Sequence, residues 1–547
     1  MPHFSHNTCS VAFGHWKSVR ARLEHTIQDY VEACVSLQDA LRRSSSATAR
    51  HERDQVFAGL DSELPLLPAY EKILRNSRSS LSVTRNSSSN LVPINSLPSE
   101  IMLTILSLSV CQWIFDDYTF VRGEKLSSAT IVSRVCRQWR KLVLGSASFW
   151  SLIELSPSGR TNAQGYERAT LWVERSQRAA LSVSIVRSKG SGVATTSEWD
   201  IRELIKFLTP LMSRVRNLRV DATSGPDQNL VQSLVACWVQ FGAPGVAKKL
   251  EIYGSMGQET LWIPALNPDS PTLARFEAFL SSLNSVRICN TYINMTSLAC
   301  SRLTDLYLDS ITEWDPSLEE IKTILAANPT LRFVAFVDIN VVMPSGSPPD
   351  PVALDHLETL TLEAADPGDL WSILLLITST SDSVRLSLSL PDDTRCVSAT
   401  HDFFSRCRIT MLHLRARDST DFVIFNLLTR IPHMTTLILR DFKMTGETLQ
   451  EYILQHSFTR HSAALWPSLQ DICLVNCSPT TYVLKRLAIF LRSPCELSVC
   501  GARAFDGRRE TERNKKIQKE LLRYDIDLEF ISFVYDPANN WSFIYDE

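Results

Sequence analysis

The chain has 547 residues, with 56 Lys and Arg against 59 Asp and Glu, a formal net charge of −3 and 44% hydrophobic residues. This composition is ordinary for folded protein, and it argues against a protein that coats nucleic acid or an acidic membrane, because both need a strongly cationic surface. The 13 cysteines are scattered along the chain, which favours a reducing compartment, cytoplasmic and/or nuclear.

The first predicted element is a helix over residues 16–41. Its apolar residues recur every three or four positions with charged residues between them, as on one helical stripe: Trp16, Val19, Leu23, Ile27, Tyr30, Cys34, Leu37 and Leu41. The near-heptad spacing predicts a short coiled coil or helical hairpin, and with it self-association through residues 16–41. An amphipathic helix that packs on its own chain fits the pattern equally well.

A second, weaker helical segment is predicted over residues 50–64, where Pro65 and Pro68 interrupt it. The Ser-rich stretch that follows has too little apolar surface to offset the entropy lost on ordering. The sequence therefore predicts a helical or coiled-coil segment over residues 1–76 and a flexible linker over residues 77–92.

A helix start is predicted directly after this linker. Ser96 suits the N-cap, Pro98 suits the first turn, and Glu100 complements the positive end of the helix dipole. Apolar residues then repeat at helical spacing: Ile101, Ile105 and Leu108. A second helix is predicted over residues 130–143, with one apolar stripe formed by Val132, Val135, Cys136, Trp139 and Val143.

These residues resemble the F-box, a small three-helix module. The family pattern opens with Leu-Pro-x-Glu-Ile/Leu, continues through Val-Cys-x-x-Trp and ends in an apolar-Trp pair. It is matched in the correct order by Leu97, Pro98, Glu100, Ile101, Val135, Cys136, Trp139, Phe149 and Trp150. The preceding helical segment and Ser-rich linker resemble those of many F-box proteins from mushroom-forming fungi. We assign residues 93–155 to this module.

The resemblance implies docking onto the adaptor subunit of an SCF-type cullin ubiquitin ligase. The residues it implies for the adaptor interface are Leu97, Pro98, Ile101, Ile105, Leu106, Val132, Val135 and Cys136. Trp139 and Trp150 fit internal packing equally well. The stretch 111–128 is longer than the family's usual link, and an insertion there could weaken docking. A helical subdomain without adaptor binding is the simpler alternative.

The C-terminal part contains an internal repeat of the form apolar-x-x-Leu-x-Leu. Clear copies start at Val215, Leu283, Leu303, Leu331, Leu357, Ile409, Met434 and Leu469, and weaker copies centre on Leu181, Leu250, Leu386 and Leu497. The fourth template position falls at Leu306, Val334, Leu360, Leu386, Leu412 and Leu437, in steps of 28, 26, 26, 26 and 25 residues. Helices are predicted between copies at 317–326, 368–376 and 421–429.

This period resembles that of divergent leucine-rich repeats, in which each unit contributes a strand and a return helix. The predicted fold is thus α/β: N-terminal helices, a small all-α F-box, a leucine-rich-repeat solenoid or horseshoe over 156–505, and a C-terminal cap or tail over 506–547. A doubly wound sheet is the alternative. Our leading hypothesis is a substrate-recognition subunit of a ubiquitin ligase, and the second is a non-ligase interaction scaffold with a degenerate F-box.

Side chains alternate along a strand, so the residues between the template positions are expected on the ligand-facing side. These are Asp305, Tyr307, Asp309, Thr359, Thr361, Glu363, Met411, His413, Arg415, Thr436, Ile438 and Arg440. Their mixture of acids and bases suits a protein target better than a phosphate backbone. An ordinary solvated face would have the same composition.

The sequence contains none of the motifs that we searched for as signs of an enzyme. There is no phosphate-binding loop, nucleophile elbow or His-Glu-x-x-His helix, and the cysteine pairs lack metal-type spacing. The basic run at 508–519 alternates with acids, which is typical of an exposed helix. No secretory signal is recognisable, and the apolar stretch 101–115 is shorter than the ~17–25 residues that span a bilayer. We expect a non-catalytic protein without cofactor, metal, nucleic acid or membrane.

Overall fold

A computed structural model describes residues 7–43, 50–86, 93–115, 128–157, 163–186, 196–223, 227–254, 261–262, 271–293, 298, 302–311, 315–343, 346–347, 349–364, 370–390, 394–415, 431–442, 468–477, 496–500 and 527–531. Several predicted features lie wholly or mostly outside these residues: the insertion at 111–128, the helix at 421–429, the basic run at 508–519 and the tail at 506–547. The chain divides into two compact units, residues 1–116 and 117–547, and each is described by itself.

The first unit is helical. Its α-helices are α1 (Asn7–Arg43), α2 (Arg50–Glu63), α3 (Leu67–Asn86) and α4 (Ser99–Phe115), with short 3-10 helices at Leu64–Leu66 and Pro93–Ser96. The predicted helix at 16–41 therefore forms within α1. The predicted break after residue 64 is confirmed as well, since Pro65 lies in the 3-10 turn that separates α2 from α3.

The prediction of a flexible Ser-rich linker from residue 77 is wrong as far as Asn86, because α3 continues to that residue. The hydroxyl groups of Ser77 and Thr84 donate to the carbonyl groups of Ile73 and Ser80, each at 3.0 Å. Polar side chains satisfied in this way on the helix's own backbone do not compete with the helix.

The second unit begins with short helices and continues with helices that alternate with strands. The α-helices are α5 (Ser128–Val132), α6 (Arg137–Gly145), α7 (Ala163–Arg175), α8 (Glu198–Leu208), α9 (Gln228–Phe241), α10 (Pro271–Leu280), α11 (Leu318–Ala327) and α12 (Thr394–Arg406). The helix predicted at 317–326 is α11, where Ser317 and Glu320 form a capping box. The helix predicted at 368–376 is a 3-10 helix, Leu370–Leu376. Further 3-10 helices lie at Ala147–Trp150 and Thr209–Arg214.

A 14-stranded parallel sheet dominates this unit. Its strands are β1 (Leu152–Leu155), β2 (Leu181–Val186), β3 (Val215–Asp221), β4 (Lys249–Tyr253), β6 (Ser285–Cys289), β8 (Asp305–Asp309), β9 (Phe333–Val337), β11 (Thr359–Glu363), β13 (Val384–Ser389), β14 (Ile409–Arg415), β15 (Thr436–Arg440), β16 (Asp471–Val475), β17 (Glu496–Cys500) and β18 (Asp527–Ile531). Two short parallel pairs join β5 (Leu261–Trp262) to β7 (Thr291–Tyr292) and β10 (Val352–Ala353) to β12 (Ile377–Thr378).

The strands of the large sheet follow one another in chain order without reversal. A doubly wound sheet reverses its order at a switch point, so that alternative is wrong. All twelve template copies coincide with strands, and the fourth positions of eleven of them face each other in register, as Leu360 does with Val334 and Leu386. The exception is the copy at Leu181, which pairs with Val215 next to a register shift. The sheet also extends beyond the predicted bounds 156–505, because β1 and β18 belong to it.

The turns after five of these strands share one backbone conformation. Asn290, Ser310, Asp338, Asp441 and Asn476 each follow a strand with φ between 44° and 63°. Asn and Asp tolerate this left-handed region better than most residues. The amide of Asn290 donates to the carbonyl of Asp309 at 2.8 Å, and Asp338 repeats this bond to Glu363 at 2.8 Å. At these two turns the backbone hydrogen bonds between neighbouring strands therefore continue for one residue beyond the end of the strand.

Candidate functional site

The first candidate surface is the start of α4, where five of the predicted adaptor-binding residues lie. The amide of Met102 donates to the Pro98 carbonyl at 3.0 Å, so Pro98 stands at the helix start. Ser96 is not the cap that we predicted, since its hydroxyl donates to the Pro93 carbonyl at 2.7 Å. Leu97 is half-buried and Pro98 is exposed.

The apolar residues of α4 divide between two sides. Ile101, Ile105 and Leu108 are 49%, 39% and 62% exposed, while Met102 and Leu106 are buried. Leu106 is thus buried, offset from the exposed stripe by one helical position, and its contact with an adaptor stays a prediction. Leu108 takes its place on the surface at the i, i+4, i+7 spacing already visible in the sequence.

The second part of the predicted adaptor surface lies on α5 and α6. The single helix predicted at 130–143 is interrupted between them, because Cys136 has an extended backbone and caps α6. Its sulfur accepts a hydrogen bond from the Trp139 amide at 3.4 Å. Val135 is exposed and Val132 is half-buried. Ile131, which the sequence analysis missed, is also exposed.

Trp150 is a packing residue. It is buried, and its indole N–H donates to the Val143 carbonyl at 2.8 Å. The guanidinium of Arg175 lies 4.5 Å from its ring centre, and the ring of Trp172 lies 6.4 Å away. These contacts tie the end of α6 to α7, as expected for the internal-packing alternative.

The second candidate surface is the side of the sheet opposite the template residues. Seven of the twelve predicted target-binding positions are accessible in part: Asp305, Thr361, Glu363, Met411, Arg415, Thr436 and Arg440. The others are buried: Tyr307, Asp309, Thr359, His413 and Ile438. These five residues are therefore not on an open face as expected, and their contact with a target stays a prediction. Strands ~4.8 Å apart place equivalent side chains side by side, and each covers its neighbour.

Apolar patches interrupt this surface at two places. Cys289, Tyr307 and Ala335 form one cluster with Tyr253 and Val337 packed against it. Ile438, Cys473 and Val475 form the other, with Met411 at its edge. These two clusters are therefore packed as a core on this side of the sheet, and at these places it is not a solvated face.

A charged and aromatic cluster lies on β3, β4, β6 and β8. Arg287 is only 6% exposed, and its guanidinium carbon lies 5.1 Å and 4.3 Å from the ring centres of Tyr253 and Tyr307. Arg219 lies 4.8 Å from the same Tyr253 ring. Glu251, held at 3.0 Å from Lys249, lies in the same row of the sheet as these two arginines.

The charges of this cluster support one another. Burial would lower the pKa of Arg287, but Tyr253, Cys289, Tyr307 and Glu251 together raise it. Burial would raise the pKa of Glu251, and the three neighbouring cations hold it below its usual value instead. The sequence analysis missed Arg219, Glu251 and Arg287. Each directly follows the fourth template position of its copy, so the alternation rule would have found them.

A second polar network crosses β11, β13 and β14. The hydroxyl of Ser387 contacts the Glu363 carboxylate and lies 2.6 Å from Nδ1 of His413. Nδ1 is also 3.4 Å from Oε1 of Glu363. Burial would raise the pKa of Glu363, but the bonds and charges of His413, Ser387 and Arg440 lower it to about 2.

This network differs from a serine-hydrolase relay. In such a relay the acid and the serine engage opposite nitrogens of the imidazole. Here Glu363 and Ser387 both contact Nδ1, and Nε2 of His413 is buried. The arrangement therefore braces three strands and gives the serine no separate base.

An arginine pair lies at the end of β14 and β15, where the surface is partly open. The Nε of Arg415 donates to Oδ2 of Asp441 at 3.1 Å, and Nε of Arg440 lies 3.6 Å from the same oxygen. Asn476 donates to the other oxygen of Asp441 at 3.1 Å. One carboxylate thus orients two guanidinium groups beside each other.

Within the described ranges, no three His, Cys, Asp or Glu side chains come together in a way that could hold a metal ion. No helix among the same residues combines the length and apolar character needed to cross a bilayer.

Comparisons with known proteins give little for this chain. No family model matches it, and no curated protein does. Among solved structures, it resembles the crystal structure of the Rad7 and Elc1 complex in yeast with a TM-score of 0.35 and 11% identity, covering 76% of this chain and 94% of that one. At that TM-score the likeness carries no argument about fold or function.

Proposed function

We propose that this chain is the substrate-recognition subunit of an SCF-type ubiquitin ligase, with an F-box that binds the adaptor and a leucine-rich-repeat solenoid that binds a protein target. The observation that carries the proposal is the exposed apolar stripe Ile101, Ile105 and Leu108, which directly follows Leu97-Pro98. Three large aliphatic side chains exposed in one row are typical of a surface that binds another protein.

The helices around the motif support the F-box. α4, α5 and α6 carry the first two signatures in order, and Trp150 of the third packs at the end of α6. The role of Cys136 is then to cap α6 and set its direction, while the exposed Ile131 and Val135 are available to the adaptor.

The sheet supports the solenoid. The strands follow one another in parallel and in register, with the 25–28-residue period from β8 to β15 and other intervals elsewhere, and the chain leaves five of them through the same left-handed turn. Repetition of one strand and one return segment builds a curved array with a long continuous face. The target would contact the open positions of that face, above all Arg415 and Arg440 beside Asp441.

In this role the chain catalyses nothing itself. Through the adaptor and a cullin, the complex would hold a ubiquitin-loaded enzyme near the bound target, so this chain would supply effective concentration. Such a complex works in the cytoplasm or nucleus, in keeping with the scattered cysteines.

Co-purification with an SCF adaptor subunit tests the proposal. We expect wild-type chain to retain the adaptor, and Leu97→Ala/Pro98→Ala and Ile101→Asp/Ile105→Asp to lose it, because a buried carboxylate without a partner is costly at an interface. Ser107→Asp is the matched control, since Ser107 is a partly accessible polar residue of the same helix that lies away from the stripe. Its adaptor binding should stay close to wild type.

Absence of adaptor binding in the wild type, or unchanged binding in both double variants, would refute the assignment. The first of these results would instead favour the alternative, an interaction scaffold whose F-box-like helices no longer bind the adaptor. The exposed apolar stripe of α1 is the observation that keeps this second candidate open.

A further inference from the structure

The N-terminal helices carry apolar stripes that no core of their own covers. In residues 10–43 and 51–86, where the structure describes burial, every side chain is at least partly accessible. The large apolar residues of the α1 stripe remain 36–55% exposed: Trp16, Val19, Leu23, Ile27, Tyr30 and Leu37. A helix in water draws most of its stability from packing such a face against another element. We therefore expect the apolar stripes of these N-terminal helices to pack against a partner.

The charges along α1 decide which orientation of a second α1 fits. Between residues 17 and 39 the charges change from basic to acidic, and two arginines end the helix: Lys17, Arg20 and Arg22 are followed by Glu24, Asp29, Glu32 and Asp39, and then by Arg42 and Arg43. Two parallel copies in register would bring like charges to the same level. Two antiparallel copies would set the basic half of each against the acidic half of the other.

The chain's own α2 and α3 do not supply this complement. Tyr30 lies 13 residues before the end of α1, and Glu63 lies 13 residues after the start of α2. Glu63 and Tyr70 both act on the Tyr30 hydroxyl, whose pKa is raised by Cys34, by burial and then by these two residues. The two legs thus run antiparallel, as in a hairpin.

In that hairpin, residues of like charge on α1 and on α2 or α3 lie at similar positions along the helix axes. The basic half of α1 is level with a stretch of α3 that is itself mainly basic, with Lys72, Arg75 and Arg78. The acidic stretch of α1 is level with α2, whose four acids outnumber its two arginines: Glu52, Asp54, Asp61 and Glu63 against Arg50 and Arg53. Close packing of the stripe within one chain is opposed by this pattern.

We propose that α1 pairs antiparallel with α1 of a second copy of this chain, centred near residue 25. Leu23 of each copy then packs against Ile27 of the other, and Lys17, Arg20 and Arg22 face the acids of the opposite half.

Light scattering on the full chain measures the stoichiometry. Wild type is expected to be a dimer and Leu23→Glu/Ile27→Glu a monomer. Val35→Glu is the matched control: Val35 is exposed on α1 but lies away from the stripe, so this variant stays dimeric. A monomeric wild type, or equal loss of the dimer in the control, would overturn the proposal.

Disulfide trapping tests the orientation. In the antiparallel pair the two Cys34 side chains lie about 27 Å apart along the axis, whereas residue 26 lies close to its own copy. Mild oxidation should link Thr26→Cys/Cys34→Ser dimers covalently and leave Cys34 unlinked in the wild type. A covalent wild-type dimer that Cys34→Ser abolishes would show a parallel pair and overturn the orientation.

A charge exchange provides a rescue. Lys17→Glu/Arg20→Glu/Arg22→Glu should weaken the dimer, and adding Asp29→Lys/Glu32→Lys to the same chain should restore it, because the antiparallel pair again matches opposite charges. Failure of the second set to restore the dimer contradicts the proposed pairing. All of these variants keep α4 unchanged and should bind the adaptor as wild type does, so this test is separate from that of the proposed function.

Discussion

Glu363 and His413 lie two strands apart, and the carboxylate Oε1 of Glu363 is 3.4 Å from Nδ1 of His413. Ser387, on the strand between them, contacts both side chains. Side chains thus tie β11, β13 and β14 together across the sheet face, in addition to the backbone ladder. The network is deeply placed, since His413 is 1% exposed.

This network should make stability depend on pH. The pKa of Glu363 is lowered from 4.5 to about 2 in the folded protein, so its stabilisation is present above a pH of about 4.5 and disappears as the pH falls towards 2. We expect Glu363→Gln to lower the free energy of unfolding by about 3 kcal/mol at pH 7 and by much less at pH 3. Urea unfolding at the two pH values measures the difference.

Glu358→Gln is the control for that experiment. Glu358 bonds the exposed Arg332 at 2.8 Å at the start of the same strand. An exposed ion pair contributes about 0–1 kcal/mol, so this variant should lose little at either pH. A Glu363→Gln effect of the same size at both pH values would contradict the role of the carboxylate charge.

Arg287 should be essential for stability in a way that exposed arginines are not. Its removal leaves Tyr253, Tyr307 and Glu251 without the cation that packs among them. Arg287→Ala is expected to cost about 3 kcal/mol, in the range found when one member of a buried charged group is deleted. Arg332→Ala, at an exposed pair, should cost less than about 1 kcal/mol. Similar losses in chemical unfolding of both variants would argue against the cluster.

Gly254 follows β4 where two turns approach closely. A Cβ atom at this position would lie 2.4 Å from the carbonyl oxygen of Asn290, whereas one at Gly245 would meet nothing within 4 Å. Because a backbone atom cannot move aside cheaply, Gly254→Ala should destabilise the protein by about 1–3 kcal/mol. Gly245→Ala should stay within about 0.5 kcal/mol of wild type. Thermal unfolding of the two variants, each against wild type, checks this contrast.

Asn328 should be a further sensitive position. Its side chain accepts from the Leu303 amide at 2.9 Å and donates to the carbonyls of Leu298 and Ile324 at 3.0 and 2.8 Å. Asn328→Ala leaves these buried backbone groups unpaired, and we expect a loss of about 2–4 kcal/mol. Asn217→Ala, which removes one bond to Ser182 at 3.0 Å in a half-buried site, should cost about 1 kcal/mol. Equal unfolding midpoints for the two variants would contradict this ranking.

The strands could be predicted from the sequence because one physical requirement repeats in each of them. A residue such as Leu360 must enter the core in register with Val334 and Leu386, so an apolar residue recurs at a fixed period. The helix α4 could be predicted in the same way, since Ile101, Ile105 and Leu108 keep helical spacing, but the spacing did not reveal that this stripe is exposed and that Leu106 is buried.

The accessibility of the sheet face could not be predicted in this way. Alternation along one strand places Tyr307 and His413 opposite the template residues, but their burial depends on Arg287 and Ser387 on neighbouring strands. That pairing is known only once the register between repeats is known. The helix through Ser77 was missed for a related reason: its hydroxyl is satisfied by the backbone one turn earlier, which composition does not reveal.

The uninterrupted strand order has a consequence for how this unit folds and tolerates damage. Each strand of the large sheet pairs only with its neighbours in chain order, so its cooperativity passes from one repeat to the next, as in a one-dimensional array. A destabilising mutation in a central strand such as β11 weakens its pairing with both neighbouring strands and divides the sheet into two parts. A comparable mutation in β1 weakens only its pairing with β2. Whole repeats could therefore be gained or lost at the ends of the array with the least cost, and the length of the sheet can change without redesign of the middle.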